Sequence, residues 1–112
     1  MNLFLKAHDI ALTPQIRTYI ERRVRMVMGR FGSKIERVSV RISDVNGPRG
    51  GVDKLCRIET RFWGGIPVVV EDAAVDLRKA IDRSIRRIGR ATARVAARRL
   101  QTPRDLPFDS LA

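Results

Sequence analysis

TPQIRTYIERRVRMVMGRFGSKIERVSVRIS, residues 13–43, carries two hydrophobic periods back to back, and the switch between them decides the fold. At about 100° per residue, Ile16, Ile20, Val24, Val27 and Phe31 fall within about 80° of one another, the apolar stripe of a helix that lies on a sheet. Thr13 followed by Pro14 is a start signal: the hydroxyl can cap, and proline at the first helical position gives up an N–H that has no intrahelical partner anyway. Gly29 and Gly32, with Ser33, supply the stop near residue 30. From Ile35 the period falls to two, with Val38, Val40 and Ile42 on one side and Arg37, Ser39, Arg41 and Ser43 on the other, which predicts a half-buried strand.

Upstream, Asn2 to Lys6 is short and apolar-centred and reads as a first strand. A helix then joins the first two strands, so as neighbours they should run parallel. Downstream, residues 46–51 (NGPRGG) form a turn cluster, and Lys54 to Trp63 alternates with Cys56, Ile58, Thr60 and Phe62 on one side. Gly64-Gly65 is a tight hairpin signal before a strand from Ile66 to Glu71. Asp72 is the expected cap of a last helix over 73–100, with Asp76 in its first turn. The fold class is therefore α+β, in the order βαβββα. A four-stranded mixed sheet should carry both helices on one face, because its other face is polar (Arg37, Ser39, Arg41, Ser43; Arg57, Glu59, Arg61). At 112 residues there is room for one domain, placed at 1–100, with 101–112 as a flexible tail.

Charge is sorted by element. The formal net charge is +11, and 19 of the 23 basic residues are arginine, a side chain suited to bidentate phosphate contacts. Segment 14–30 holds five arginines and one glutamate, and segment 73–100 nine basic residues and two aspartates, so the two helices carry all of the excess. Relative to Leu77 at 0°, Ile81, Ser84, Ile85, Ile88, Ala91, Thr92 and Val95 lie between about −40° and 80°, the face for the sheet. Lys79, Arg83, Arg86, Arg87, Arg90 and Arg94 lie between about 180° and 280°, a stripe some four turns long. Solvated helices usually alternate signs, and only Asp82 to Arg86 offers the stabilising i, i+4 spacing here. The first helix adds Arg22 and Arg25 on its polar side, with Arg23 and Arg30 flanking its apolar stripe. Such a surface fits a polyanion held by counterion release.

Other classes find less support. Lone Cys56 and lone His8 cannot complete a zinc site; Cys56 reads as a buried thiol and His8 as a locally bonded side chain beside a turn. There is no serine-histidine-aspartate set, HExxH or phosphate-binding loop, and Glu71-Asp72 reads as a strand end, so neither an enzyme nor a small-molecule substrate or cofactor is expected. The apolar helix faces are committed to the sheet, which argues against membrane binding, and MNLFLKAHD reaches an acid too soon for a secretory signal, so a cytoplasmic protein is expected. Trp63, Phe62 and Tyr19 are not placed as a base-stacking platform. By the residues alone, a general double-stranded RNA or DNA binder and an interaction module for an acidic partner both stay open.

AHDIALTPQIRTYIERRV (7–24) and VEDAAVDLRKAIDRSIRRIGRA (70–91) resemble the two motifs of the ribosome hibernation-promoting factors, also called ribosome-associated inhibitors or sigma-54 modulation proteins. The resemblance spans residues 1 to about 100. It implies an outline similar to a double-stranded-RNA-binding domain, and docking on small ribosomal subunit rRNA in the decoding channel, where messenger and transfer RNA are blocked and idle ribosomes preserved. It places Arg22, Arg23 and Arg25 in the basic run of the family's first helix, and Arg83, Arg86, Arg87 and Arg90 in or beside that of the second. With Arg30, Lys79 and Arg94 these are the expected rRNA-binding residues. Long members carry a C-terminal dimerisation domain, and only 101–112 follow the helix here, so the short form is implied and any pairing of ribosomes would need a second, dimerising factor. The chain departs from the pattern at Arg78-Lys79 and at Arg87-Ile-Gly-Arg90. Gly89 inside a helix costs roughly 1 kcal/mol relative to alanine and marks either a bend or a close backbone approach.

Overall fold

A computed structural model describes residues 1–45 and 52–101. The elements are β1 (Asn2–His8), α1 (Pro14–Met28), β2 (Ile35–Asp44), β3 (Lys54–Phe62), β4 (Pro67–Ala74) and α2 (Leu77–Gln101), with a 3-10 segment Gly29–Lys34 between α1 and β2. The sheet order is β1-β2-β3-β4. β1 pairs parallel with β2, and the other neighbours pair antiparallel, giving the expected α+β arrangement with a four-stranded mixed sheet. The turn at 46–51 and the expected tail beyond Gln101 lie outside the described residues.

Local chemistry sets most boundaries. The Thr13 hydroxyl accepts the Ile16 N–H at 3.2 Å, and Pro14 opens α1. Between β3 and β4 the Gly65 N–H donates to Phe62 O at 3.1 Å, and Gly64 turns the chain at φ +70°, a conformation that costs little only without a Cβ. β2 holds an irregularity the alternation does not show: its pairing with β3 slips between Ile35 and Arg37. One extra residue in a strand resets its parity. Ile35 and Val38, an odd and an even position, are consequently both fully buried.

Ile20, Val24 and Met28 from α1 and Ala80, Ile81, Ile85 and Ile88 from α2 close over Val38, Val40, Ile42, Cys56 and Ile58 of the sheet. Each large side chain so buried contributes about 1.5–3 kcal/mol. Phe31, placed on the helical stripe by periodicity, falls in the 3-10 segment and still packs against this core. Cys56 is buried, and desolvation pushes its thiol up to about 11. Ser84 Oγ donates to Cys56 O at 3.1 Å, so this buried hydroxyl of α2 is satisfied and ties α2 to β3.

Two expectations about the start of the last helix are corrected. Asp72 does not cap it, because β4 continues to Ala74; its carboxylate accepts the Ala73 N–H at 2.9 Å and pairs with Arg87 at 3.5 Å. The capping position belongs instead to Asp76, whose carbonyl accepts the Ala80 N–H at 3.1 Å. At the first strand, pairing runs on from Lys6 to His8, whose Nε2 lies 3.3 Å from Asp9 Oδ2.

Candidate nucleic-acid interface

The surface of α2 divides into four sectors, each fixed by what lies against it. Ile81, Ile85 and Ile88 face the sheet. At about 100–140° from Leu77 comes α1. Here Arg78 stacks over the Tyr19 ring at 4.2 Å, the Tyr19 hydroxyl donates to Asp82, and Arg23 Nε stands 3.9 Å from the same carboxylate. Further along the same seam sits Gly89: a Cβ on it would stand 2.5 Å from Val27 Cγ1. Gly89 therefore marks a close approach of the two helices. Gly89 is 12 residues into α2 and Val27 is 13 into α1, and the starts of both helices line one groove with Gln15, Tyr19, Arg22 and Arg78. The helices run side by side in the same direction, and α2 continues past the end of α1 by roughly 16 Å.

On the opposite flank α2 meets the edge strand β4. Arg83 Nη1 donates to Ala73 O at 3.5 Å, and Arg87 Nη1 donates to Glu71 O at 2.8 Å while pairing with Asp72. Asp72 thus stands beside a turn of α2 that, from the helix sequence, has no acid near it. Asp82, which by spacing could pair with Arg86, is engaged across the seam with Tyr19 and Arg23 instead.

The remaining sector, centred near 200°, is open. Lys79, Arg86, Arg90 and Arg94 occupy it, all exposed and none with an ion-pair partner among the described residues. Arg22 and Arg25 are exposed on the outer side of α1 across the seam, also without an acid. Arg30 lies in the 3-10 segment with its guanidinium 4.9 Å from the Phe31 ring. Of the ten expected residues, six form an unpaired cationic surface over two neighbouring helices. Arg23, Arg83 and Arg87 sit at its margins, already partnered, and Arg30 beyond the end of α1. Sequence reasoning missed Arg78: at about 100° on the wheel it sits off the basic stripe, and only the presence of α1 turns it into the bridge between the two rows.

The arrangement can bind phosphates and offers little else chemically. Its unpaired cations span about 22 Å along α2 from Lys79 to Arg94. Among the described residues no group of three or more His, Cys, Asp or Glu could hold a metal ion, and no helix is long and apolar enough to cross a membrane.

Two solved structures superpose over most of the chain. A ribosomal subunit interface protein from Coxiella burnetii aligns with a TM-score of 0.72 at 12% identity, covering 87% of this chain and 99% of that one. The N-terminal domain of Thermus thermophilus Protein Y aligns with a TM-score of 0.68 at 27% identity, covering 85% and 99%. A comparison with curated proteins gives no match. The family model described as sigma 54 modulation protein / S30EA ribosomal protein matches residues 4–100, nearly the whole described fold. The chain belongs to the sigma 54 modulation protein / S30EA ribosomal protein family.

Proposed function

We propose that this protein is a non-enzymatic translation inhibitor that binds small-subunit rRNA in the decoding channel and keeps messenger and transfer RNA out, preserving idle ribosomes in the cytoplasm. The observation that carries the reading is the open sector of α2, where Lys79, Arg86, Arg90 and Arg94 have no acidic partner among the described residues and lie beside Arg22 and Arg25. Like charges held this close destabilise a free protein and are offset when a polyanion arrives. The family and the two neighbours, one of them named for the ribosomal subunit interface, indicate the ribosome as the source of that polyanion.

The mechanism needs no bond chemistry. Guanidinium groups replace the counterions of rRNA phosphates, so affinity falls steeply with salt. Arg87 and Arg83 reach the β4 carbonyls at the margin of the surface, and the seam sets the two rows side by side. Inhibition then follows from occupied volume. The test is a competition on purified small subunits: the protein should displace labelled messenger and transfer RNA in proportion to its own occupancy. Subunits that hold the protein and both RNAs together would contradict occlusion. Tight binding to a plain RNA duplex that subunits cannot compete away would replace the proposal with general duplex binding.

A further inference from the structure

The face of the sheet away from the helices carries a second cation set that the helical surface does not use. In the strand register Lys6 lies across from Arg41, and Arg41 from Arg57, so three cations form one row over β1, β2 and β3. All three are exposed, and none has an ion pair among the described residues; Glu71, the register partner of Arg57 on β4, forms none with it. Four residues along β2, roughly 13 Å away, Arg37 faces Arg61 in a second pair. Like charges placed directly across strands destabilise a sheet, which ordinarily sets opposite charges there. Among the described residues only Glu59, at 3.9 Å from Arg61, answers this set with an ion pair. The rows border a depression of about 730 Å³ whose floor includes Ser39 and Phe4, the latter 53% exposed.

We propose that this open sheet face is a second RNA-backbone contact, so that the domain is held between two RNA segments, one over the helices and one over the sheet. Rows of unpaired cations beside a polar floor suit phosphates, and Phe4 offers one apolar surface to a ribose or base between them. The inference rests on the reading of the helical face as an rRNA contact, and it adds a requirement: the ligand must present backbone on two sides, as a folded rRNA channel does and a single duplex does not.

The test uses the full chain and purified small ribosomal subunits. Lys6→Gln/Arg41→Gln/Arg57→Gln should lower affinity on the order of a hundredfold near 100 mM salt and reduce the slope of log affinity against log salt by about 2 to 3. Its thermal midpoint should be equal or higher, because only repulsion has been removed; a lower midpoint with unchanged affinity would assign these residues a structural role and overturn the proposal. A benzophenone maleimide on Ser39→Cys, in a chain whose own Cys56 is buried, should cross-link to RNA; cross-links only to protein, or none, also overturn it. Loss of binding by Lys79→Glu/Arg86→Glu/Arg90→Glu alone, with the sheet variant unchanged, keeps the helical reading and rejects this one. A wild-type chain that does not bind subunits rejects both.

Discussion

Gly89 stands where α1 and α2 come closest, and its missing Cβ has a measurable consequence. Alanine is the better helix former by roughly 1 kcal/mol, yet here its methyl would stand 2.5 Å from Val27 Cγ1 on a branched side chain that cannot swing clear. Gly89→Ala should therefore lose about 1–3 kcal/mol in denaturant unfolding, and Val27→Ala should remove most of that loss; a stabilised single variant would show that the helices do not meet there. Cys56 gives a pH prediction. Burial holds its thiol protonated up to about 11. Below pH 9 the protonated thiol is present in both folded and unfolded chains, so its full contribution is in place. Above it the unfolded chain ionises first, and stability falls toward pH 11 by about 2 kcal/mol. Thermal unfolding of Cys56→Ala should lack that portion of the decline.

The seam between α1 and α2 is the element on which the shape of the basic surface depends. Tyr19, Arg23, Arg78 and Asp82 form it, with Asp82 as the shared acceptor. The Arg23 pair is long and partly exposed, so it contributes little. The hydroxyl-to-carboxylate bond is the stronger part. Tyr19→Phe and Asp82→Asn should each cost about 1–2 kcal/mol, and the double variant should cost clearly less than their sum; additive losses would mean the bond is absent. Element by element, the period switch at Ile35, the Thr13-Pro14 start and the double-glycine turn were legible in the sequence because each is decided within a few residues. The start of α2 was not: Asp72 looks like a cap, but pairing with β3 through Cys56 keeps it in β4, and a cross-strand partner is invisible in local spacing. The parity reset at Ile35 was hidden for the same reason, since a bulge is defined by the opposing strand.

Across the whole molecule, the sorting of +11 charges onto two helices was readable from counts. Which of those charges are free to meet a ligand was not, because that depends on neighbours distant in sequence: β4 holds Arg83 and Arg87, and α1 holds Asp82 away from Arg86. We therefore propose that the open sector of α2 and the outer side of α1, whose cations are unpaired among the described residues, carry the proposed function. The most direct test is sedimentation of the protein with purified small subunits over a salt series, beside Lys79→Glu/Arg86→Glu/Arg90→Glu. The account predicts that the wild type travels with the subunits at low salt and leaves them steeply as salt rises, while the variant stays at the top of the gradient with its thermal midpoint unchanged or raised. Equal co-sedimentation of the variant, or a wild type that remains at the top at low salt, would contradict it.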